Sequence, residues 1–309
     1  MSTVNGYEIE GDFSTENAGL SRWAFCRKGG RKYFIKEFLS PVYPDGGKLS
    51  PQIVARKKKV CDDFFAEKSL FYKTLERCRT GNNVIIQDFF REGSHFYIVT
   101  DIINTISTKP QFVAQLNVEQ KLTVIRAILY SVASLHSAGI VHADLKADNV
   151  LIKQTQDGFY TAKIIDFDAG FFVHKIPPEV QGDFVYMAPE TFLRIQGTEV
   201  SMTEKIDIFA LGILFHQYWT GELPGFKKEY QYAFEAVLDQ SELRVSYRVP
   251  DPLRSVLRQM LERVPKNRIS ATDALKMLEA WSTGNQISAP AGQAKLKFSK
   301  GFHRPTDLS

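Results

Sequence analysis

The segment Val141-His142-Ala143-Asp144-Leu145-Lys146-Ala147-Asp148-Asn149-Val150-Leu151 crowds an acid, a cation and an amide into one short loop between an apolar helical pattern and an apolar strand pattern. Held rigidly together, such a trio suits phosphoryl transfer. Asp144 can orient a hydroxyl, Lys146 can meet phosphate charge, and the amide oxygen of Asn149 can ligate a metal. A polar turn without chemistry is the plainer alternative. A second segment, Lys163-Ile164-Ile165-Asp166-Phe167-Asp168-Ala169-Gly170, ends an apolar strand on Asp166. Its carboxylate would suit Mg²⁺, a hard cation that prefers oxygen. Strand-end aspartates also serve as simple caps; the spacing from Asn149 across one hairpin favours the metal.

Two charges lie upstream. Lys36, in Tyr33-Phe34-Ile35-Lys36-Glu37-Phe38, shares a strand face with Phe34 and Phe38. On a covered face it needs an anionic partner, whereas on an edge strand it needs none. Glu67 falls three residues after Phe64 and four before Phe71, hence on the apolar side of a helix. A carboxylate buried there without a partner is costly; at the margin of the stripe it would simply be solvated. Each supplies what the other lacks, so a Lys36–Glu67 pair is expected.

The elements that must position these groups follow from periodicity. Strands are expected at Tyr7 to Phe13, Ser21 to Arg27, Arg31 to Leu39, Val84 to Arg91 and His95 to Ile103, with a helix from Ile53 to Cys78. Beyond about residue 105 the pattern turns helical: Leu122, Ile125, Leu129, Val132 and His136 step by three and four. Short strands at Val150 to Lys153 and Ala162 to Ile165 flank the Asp157-Gly158 turn, and helices run from Lys205 to a last one at Ala271 to Trp281. The fold class is α+β: a small, mainly β lobe over about 1–103 and a large, mostly α lobe over about 104–281. Residues 282–309, with Lys295, Lys297, Lys300 and Arg304, are expected to form a basic, flexible tail.

Composition narrows the class. The 309 residues are 44% hydrophobic and 24% charged, enough for a sizeable core. A net charge of +4 with interleaved acids gives no case for nucleic-acid binding. Cys26, Cys61 and Cys78 have no metal-ligand spacing, and no run approaches the length of a membrane span. A cytoplasmic protein is expected, with nothing to indicate its oligomeric state.

Taken in order, these segments resemble the signature set of eukaryotic-type Ser/Thr protein kinases over about residues 7–281. The resemblance implies a bilobal kinase fold, ATP and Mg²⁺ as cofactors, and a protein substrate. It implies Asp144 as catalytic base and Lys146 beside the transferred phosphate. Lys36 would hold the nucleotide phosphates with Glu67 as its partner, and Asn149 and Asp166 would ligate metal. Thr100 stands at the gatekeeper position and Asp101 to Ile103 at the adenine hinge, with Leu151 as a further cofactor-binding residue. Met187-Ala188-Pro189-Glu190 and Asp207 to Gly212 match large-lobe motifs, Arg268 would pair with Glu190, and Phe71, His142 and Phe167 would stack between the lobes.

The departures are as specific as the matches. The phosphate-cradling loop has only Gly11 and Gly19, with Ser14, Thr15 and Asn17 between them. Phe34 replaces a small residue at the adenine roof, a volume that smaller neighbours such as Ala24 would have to restore. Ala143 replaces the arginine that meets an activation-loop phosphate, and between Phe167 and Glu190 there is no Ser or Thr, only Tyr186. Activity independent of Ser/Thr phosphorylation of that loop is therefore expected. Asp168 replaces a glycine, as a hydrogen-bonded loop residue or a metal-facing one. Asp183 is expected to pair with Lys146, and Arg56-Lys57-Lys58-Lys59 to form a solvated helix face or a docking site for an acidic partner. Two other functional readings stand beside this one: a pseudokinase scaffold with weak nucleotide binding, which the Phe34 departure suggests, and a small-molecule phosphotransferase.

Overall fold

The computed structural model describes residues 2–286 apart from Asn17, Ala18, Gly46, Lys48 and Arg79. Strands β1 (Thr3–Val4), β2 (Tyr7–Ser14), β3 (Ser21–Lys28) and β4 (Arg31–Phe38) precede α1 (Pro51–Arg77), and β5 (Ile86–Glu92) and β6 (His95–Asp101) follow it. They form one antiparallel sheet in the order β1-β2-β3-β4-β6-β5. The β3–β4 hairpin closes tightly because Gly29 and Gly30 both take positive φ, 60° and 79°, as a two-residue turn matched to strand twist requires.

The sheet has two different faces. Ile35 joins Tyr7, Ile9, Ala24, Cys26, Tyr97 and Val99 in a small core on one side. Phe38, Phe96 and Ile98 join the main core on the other, with Cys61, Phe71, Tyr72 and Leu75 of α1. Lys36 lies on this second face, between Trp23 and Ile98. Ser50 caps α1 and Pro51 occupies its first turn, where a missing N–H costs nothing.

The remainder is mostly helical: α2 (Pro110–Gln115), α3 (Val118–Ser137), α4 (Pro189–Ile195), α5 (Lys205–Thr220), α6 (Ala233–Leu238), α7 (Asp251–Met260) and α8 (Ala271–Gln286). Two-stranded ribbons β7 (Ile140–Val141) with β10 (Phe171–Phe172), and β8 (Val150–Gln154) with β9 (Tyr160–Ile164), lie between α3 and α4. The chain is thus a sheet-rich lobe followed by a helical lobe. The helix α3 opens on a reciprocal cap: Asn117 Oδ1 accepts from Gln120 N and Gln120 Oε1 accepts from Asn117 N. Its apolar stripe is buried, with α8 and β9 as the main neighbours of the helix, and α5 is buried on almost every side. Asp207 of α5 bonds both His136 of α3 and the backbone after β7, so the two helices meet beneath the loop between β7 and β8.

Two short helices, α2 and α4, were not expected from the sequence. Each has fewer than eight residues and opens on proline, too short for a periodic apolar pattern. The last helix runs to Gln286 rather than Trp281. The rest of the expected basic tail lies outside the described residues.

Candidate active site

The loop after β7 holds the trio together. Asn149 is buried, and its Nδ2 donates to the backbone oxygen of Asp144 at 2.8 Å and to Asp144 Oδ2 at 2.9 Å. Lys146 Nζ lies 3.0 Å from Asp144 Oδ2. Burial alone would lower the Lys146 pKa; the Asp144 charge outweighs it, so the ammonium is held above its ordinary range. Asp207, at the start of α5, fixes the loop from below by accepting His142 N and Ala143 N, both at 2.8 Å. Ala143 takes φ 66°, a conformation unusual for a residue with a side chain. The expected Asp183–Lys146 pair is not formed: Asp183 Oδ1 instead accepts Val185 N at 2.9 Å.

Lys36 is buried on its strand and does have anionic partners, but Glu67 is not among them. Its Nζ sits 3.0 Å from Asp166 Oδ1 and 2.9 Å from Asp168 Oδ2. Burial favours the neutral amine, and the two carboxylates more than reverse this, raising its pKa. Of the acids, burial and Lys36 act in opposite senses on Asp166, and Lys36 prevails, lowering its pKa; burial and the Asp166 charge raise that of Asp168. Glu67 faces the segment after β10 and pairs with Lys175 at 2.8 Å. Its neighbour Lys68 points inward, donating to the backbone oxygens of Asp168 (2.7 Å) and Gly170 (3.5 Å). Burial lowers the Lys68 pKa.

The periodicity of α1 explains this exchange. Cys61, Phe64, Phe71, Tyr72 and Leu75 define its core stripe, of which Phe64 is only partly buried. At about 100° per residue, Lys68 falls near the centre of that stripe and Glu67 about 90° to one side. The inward-facing, half-buried Lys68 follows only from the whole stripe, and the spacing of Glu67 from Phe64 and Phe71 was not enough to find it. Gly170 completes the corner: a Cβ there would lie 2.5 Å from Phe71 Cζ and 3.0 Å from Phe167 O. The close approach that demands glycine is thus at residue 170, and Asp168 is not among the residues with positive φ.

The roof of the cleft is aromatic. Phe34 stacks on Trp23 with centroids 5.5 Å apart and meets Phe25 edge-on at 6.2 Å. Ala24 cannot restore space beside Phe34, because it pairs with Ile35 and faces the small core on the opposite side of the sheet. Trp23 Nε1 donates to Glu16 O at 2.9 Å, and Glu16 N to Ser14 Oγ at 3.1 Å, which ties the glycine-poor loop to the roof. Gly11, at φ 77°, lies in the irregularity of the β2–β3 register between Glu10 and Ser14.

At the back of the cleft Thr100 pairs with Phe34. The Asp101 carboxylate accepts from Arg31 (2.8 Å) and Gln87 (2.9 Å), and its amide donates to Ile85 O. Ile103 packs half-buried against the main core, and Leu151 is half-buried on β8 opposite Lys163.

Could these groups hold a divalent cation? Asn149 commits its amide nitrogen to Asp144, which leaves the carbonyl oxygen as the end available to a cation. Asp166 contributes carboxylate oxygens. Among the described residues no three or more His, Cys, Asp or Glu side chains are grouped to cage a metal. One carboxylate and one amide oxygen fit Mg²⁺, which keeps waters and shares ligands with phosphates.

The large lobe is clamped below the site. Arg268 and Glu190 form a buried two-point pair, with Nη2–Oε2 at 2.9 Å, and Arg268 also donates to Glu262 O and Lys205 O. His142 and Phe167 rings lie 4.6 Å apart, whereas the ring neighbours of Phe71 are Tyr72 and Phe172. Tyr186 is buried and its hydroxyl donates to Gln217 at 2.7 Å. No helix among the described residues is long and apolar enough to cross a membrane.

The chain is 27% identical to calcium-dependent protein kinase 12 of Oryza sativa subsp. japonica over 91% of its own length and 53% of that protein's. It is 32% identical to serine/threonine-protein kinase PAK 5 of Rattus norvegicus, over 62% of this chain and 24% of the relative. Calcium-dependent protein kinase 29 of Arabidopsis thaliana is 30% identical over 62% of this chain and 35% of its own. The chain thus spans about half or less of the length of these relatives. The protein kinase domain family matches residues 52–278, from α1 through the loop after β7 and the Glu190–Arg268 clamp into α8, and the chain belongs to that family.

Proposed function

We propose that this protein transfers the γ-phosphate of Mg-ATP to serine or threonine hydroxyls of a protein substrate. The observation that carries the reading is the convergence of Asp144, Lys146 and Asn149 within hydrogen-bonding distance in one loop, opposite a Lys36 buried against Asp166. Asp144 would accept or orient the substrate hydroxyl proton, and Lys146, tethered to it, would neutralise the moving phosphate. Lys36 would bind the non-transferred phosphates. Asn149 and Asp166 would hold the metal, which when bound spreads phosphate charge. Asp101, Ile103 and Leu151 would border the base. The chemistry asked of the protein is positioning and charge neutralisation. Glu67 is left out of the nucleotide site, since its partner is Lys175.

The proposal includes activity without Ser/Thr phosphorylation of the segment from Phe167 to Glu190. That segment holds no Ser or Thr, and its single hydroxyl, Tyr186, is buried and hydrogen-bonded. Ala143 lines a cavity of about 230 Å³ between α1 and this segment, together with Phe64, Lys68, Asp168, Val180 and Met202. Glu67 pairs with Lys175 of this segment through partly exposed side chains, a contact of little energetic weight. Phosphatase treatment is expected to leave the rate unchanged.

One observation favours a second reading, a scaffold with weak nucleotide binding: the Trp23–Phe34 stack fills the roof, and Ala24 gives no compensating space. Transfer of labelled phosphate from Mg-ATP to itself and to generic protein substrates, wild type beside Asp166→Ala, decides between them. Label in the wild type that vanishes in the variant supports the enzyme. No label together with no thermal shift on adding Mg-ATP supports the scaffold, and label confined to small metabolites supports the small-molecule phosphotransferase.

A further inference from the structure

Lys36 needs a fixed carboxylate if it is to meet phosphate reproducibly, because a lysine has a flexible stem with four rotatable bonds. Two carboxylates reach it, Asp166 at 3.0 Å and Asp168 at 2.9 Å. In the reading above Asp166 belongs to the metal. A carboxylate that takes up a divalent cation weakens its hold on a neighbouring ammonium, so Asp168 is the acid left to orient Lys36. Glu67 is engaged elsewhere, with Lys175.

The helix α1 is still connected to Lys36, but through different groups. Lys68, near the centre of the α1 core stripe, donates to the backbone oxygen of Asp168 at 2.7 Å, and the Asp168 carboxylate accepts from Lys36. Gly170 lets Phe71 press against this corner, where a Cβ would collide. The chain α1–Lys68–Asp168–Lys36 is thus packed from the helix to the strand, and its polarity is the reverse of the expected one: the helix contributes the cation and the loop the acid.

We propose that Asp168, held by Lys68, is the residue that positions Lys36 for nucleotide binding, and that Glu67 does not serve this role. The inference rests on the kinase reading for its catalytic readout but not for its structural one. The two can therefore fail separately.

The structural test uses the apo protein and double-mutant cycles in thermal unfolding. Lys36→Met with Asp168→Gly should be non-additive, the pair shifting Tm by about 2–4 °C less than the sum of the single changes. Lys36→Met with Glu67→Gln should be additive. The catalytic test is the KM for ATP against kcat. Asp168→Gly and Lys68→Met should raise KM roughly tenfold or more, Asp168→Glu should recover part of the loss, and Glu67→Gln should stay within about twofold. An additive Lys36–Asp168 cycle, or a Glu67→Gln variant whose KM rises as far as that of Lys36→Met, overturns the proposal. If no variant nor the wild type transfers phosphate, the kinase reading falls and the cycles alone decide the positioning role.

Discussion

On the large-lobe side of the cleft, Asp144, Lys146 and Asn149 lie within one loop and bond to one another, so their geometry is set by a few residues of chain and by Asp207 beneath them. On the small-lobe side, Lys36 reaches across to Asp166 and Asp168, and its surroundings are set by strands, a helix and a distant loop at once. The family match covers 52–278, taking in α1, β5 and β6 of the small lobe and leaving β1 to β4, with Lys36, outside. Local constellations tolerate little change because every member contacts every other. A site assembled from several elements can exchange one partner for another, as Asp168 for Glu67, and keep its charge balance.

The comparison is broken most directly at its conforming side. Asp144→Asn should lower phosphate transfer by roughly 10²–10⁴-fold with little change in nucleotide affinity, measured as initial rates beside calorimetric binding. A loss of only a few fold would place the general base elsewhere. Next in size is the clamp below. Arg268→Ala leaves Glu190 buried and unpaired, and should cost about 3–5 kcal/mol in urea unfolding; a cost under about 1 kcal/mol would mean that water reaches the pair.

The departing side is sharpened by its roof. Phe34→Ala removes a ring that stacks on Trp23 and should tighten Mg-ATP binding by roughly tenfold, about 1.4 kcal/mol. Weaker binding would show instead that the base stacks on the ring. The smallest effect is far from both walls. His216 Nδ1 faces Glu222 O at 2.8 Å and its Nε2 accepts from Ser246 N at 3.1 Å, so the neutral ring is satisfied, and burial lowers its pKa. The unfolded chain then takes up the proton first as pH falls. The contribution is fully present above about pH 6.5 and is lost progressively below it, at no more than about 1.4 kcal/mol per pH unit. A pH series of unfolding midpoints for wild type and His216→Gln measures it, and parallel curves would refute it.

What was legible in the sequence follows the same physics. The α+β order, the strands at Ser21 to Arg27 and Arg31 to Leu39, and the loop from His142 to Asn149 were readable because each is determined by neighbours in the chain. The Arg268–Glu190 pair was also anticipated, through the resemblance of both motifs rather than through their spacing. The Lys36 partner was not, since it depends on how α1 is rotated about its axis, and only the full stripe from Cys61 to Leu75 shows that Lys68 faces inward. The position of Ala24 was misjudged for a related reason: one step along β3 moves a side chain to the other face of the sheet.

The tie between Trp23 and Glu16 has an optical consequence. The protein has three tryptophans, and two of them, Trp219 and Trp281, lie 6.3 Å apart in the large lobe, while Trp23 alone sits in the cleft roof with its indole N–H bonded to the loop above. A molecule entering the cleft would change the polarity around one emitter and leave the other two as an internal reference. With Trp23→Phe to identify that emission, occupancy of the cleft can be followed in the unlabelled protein by fluorescence.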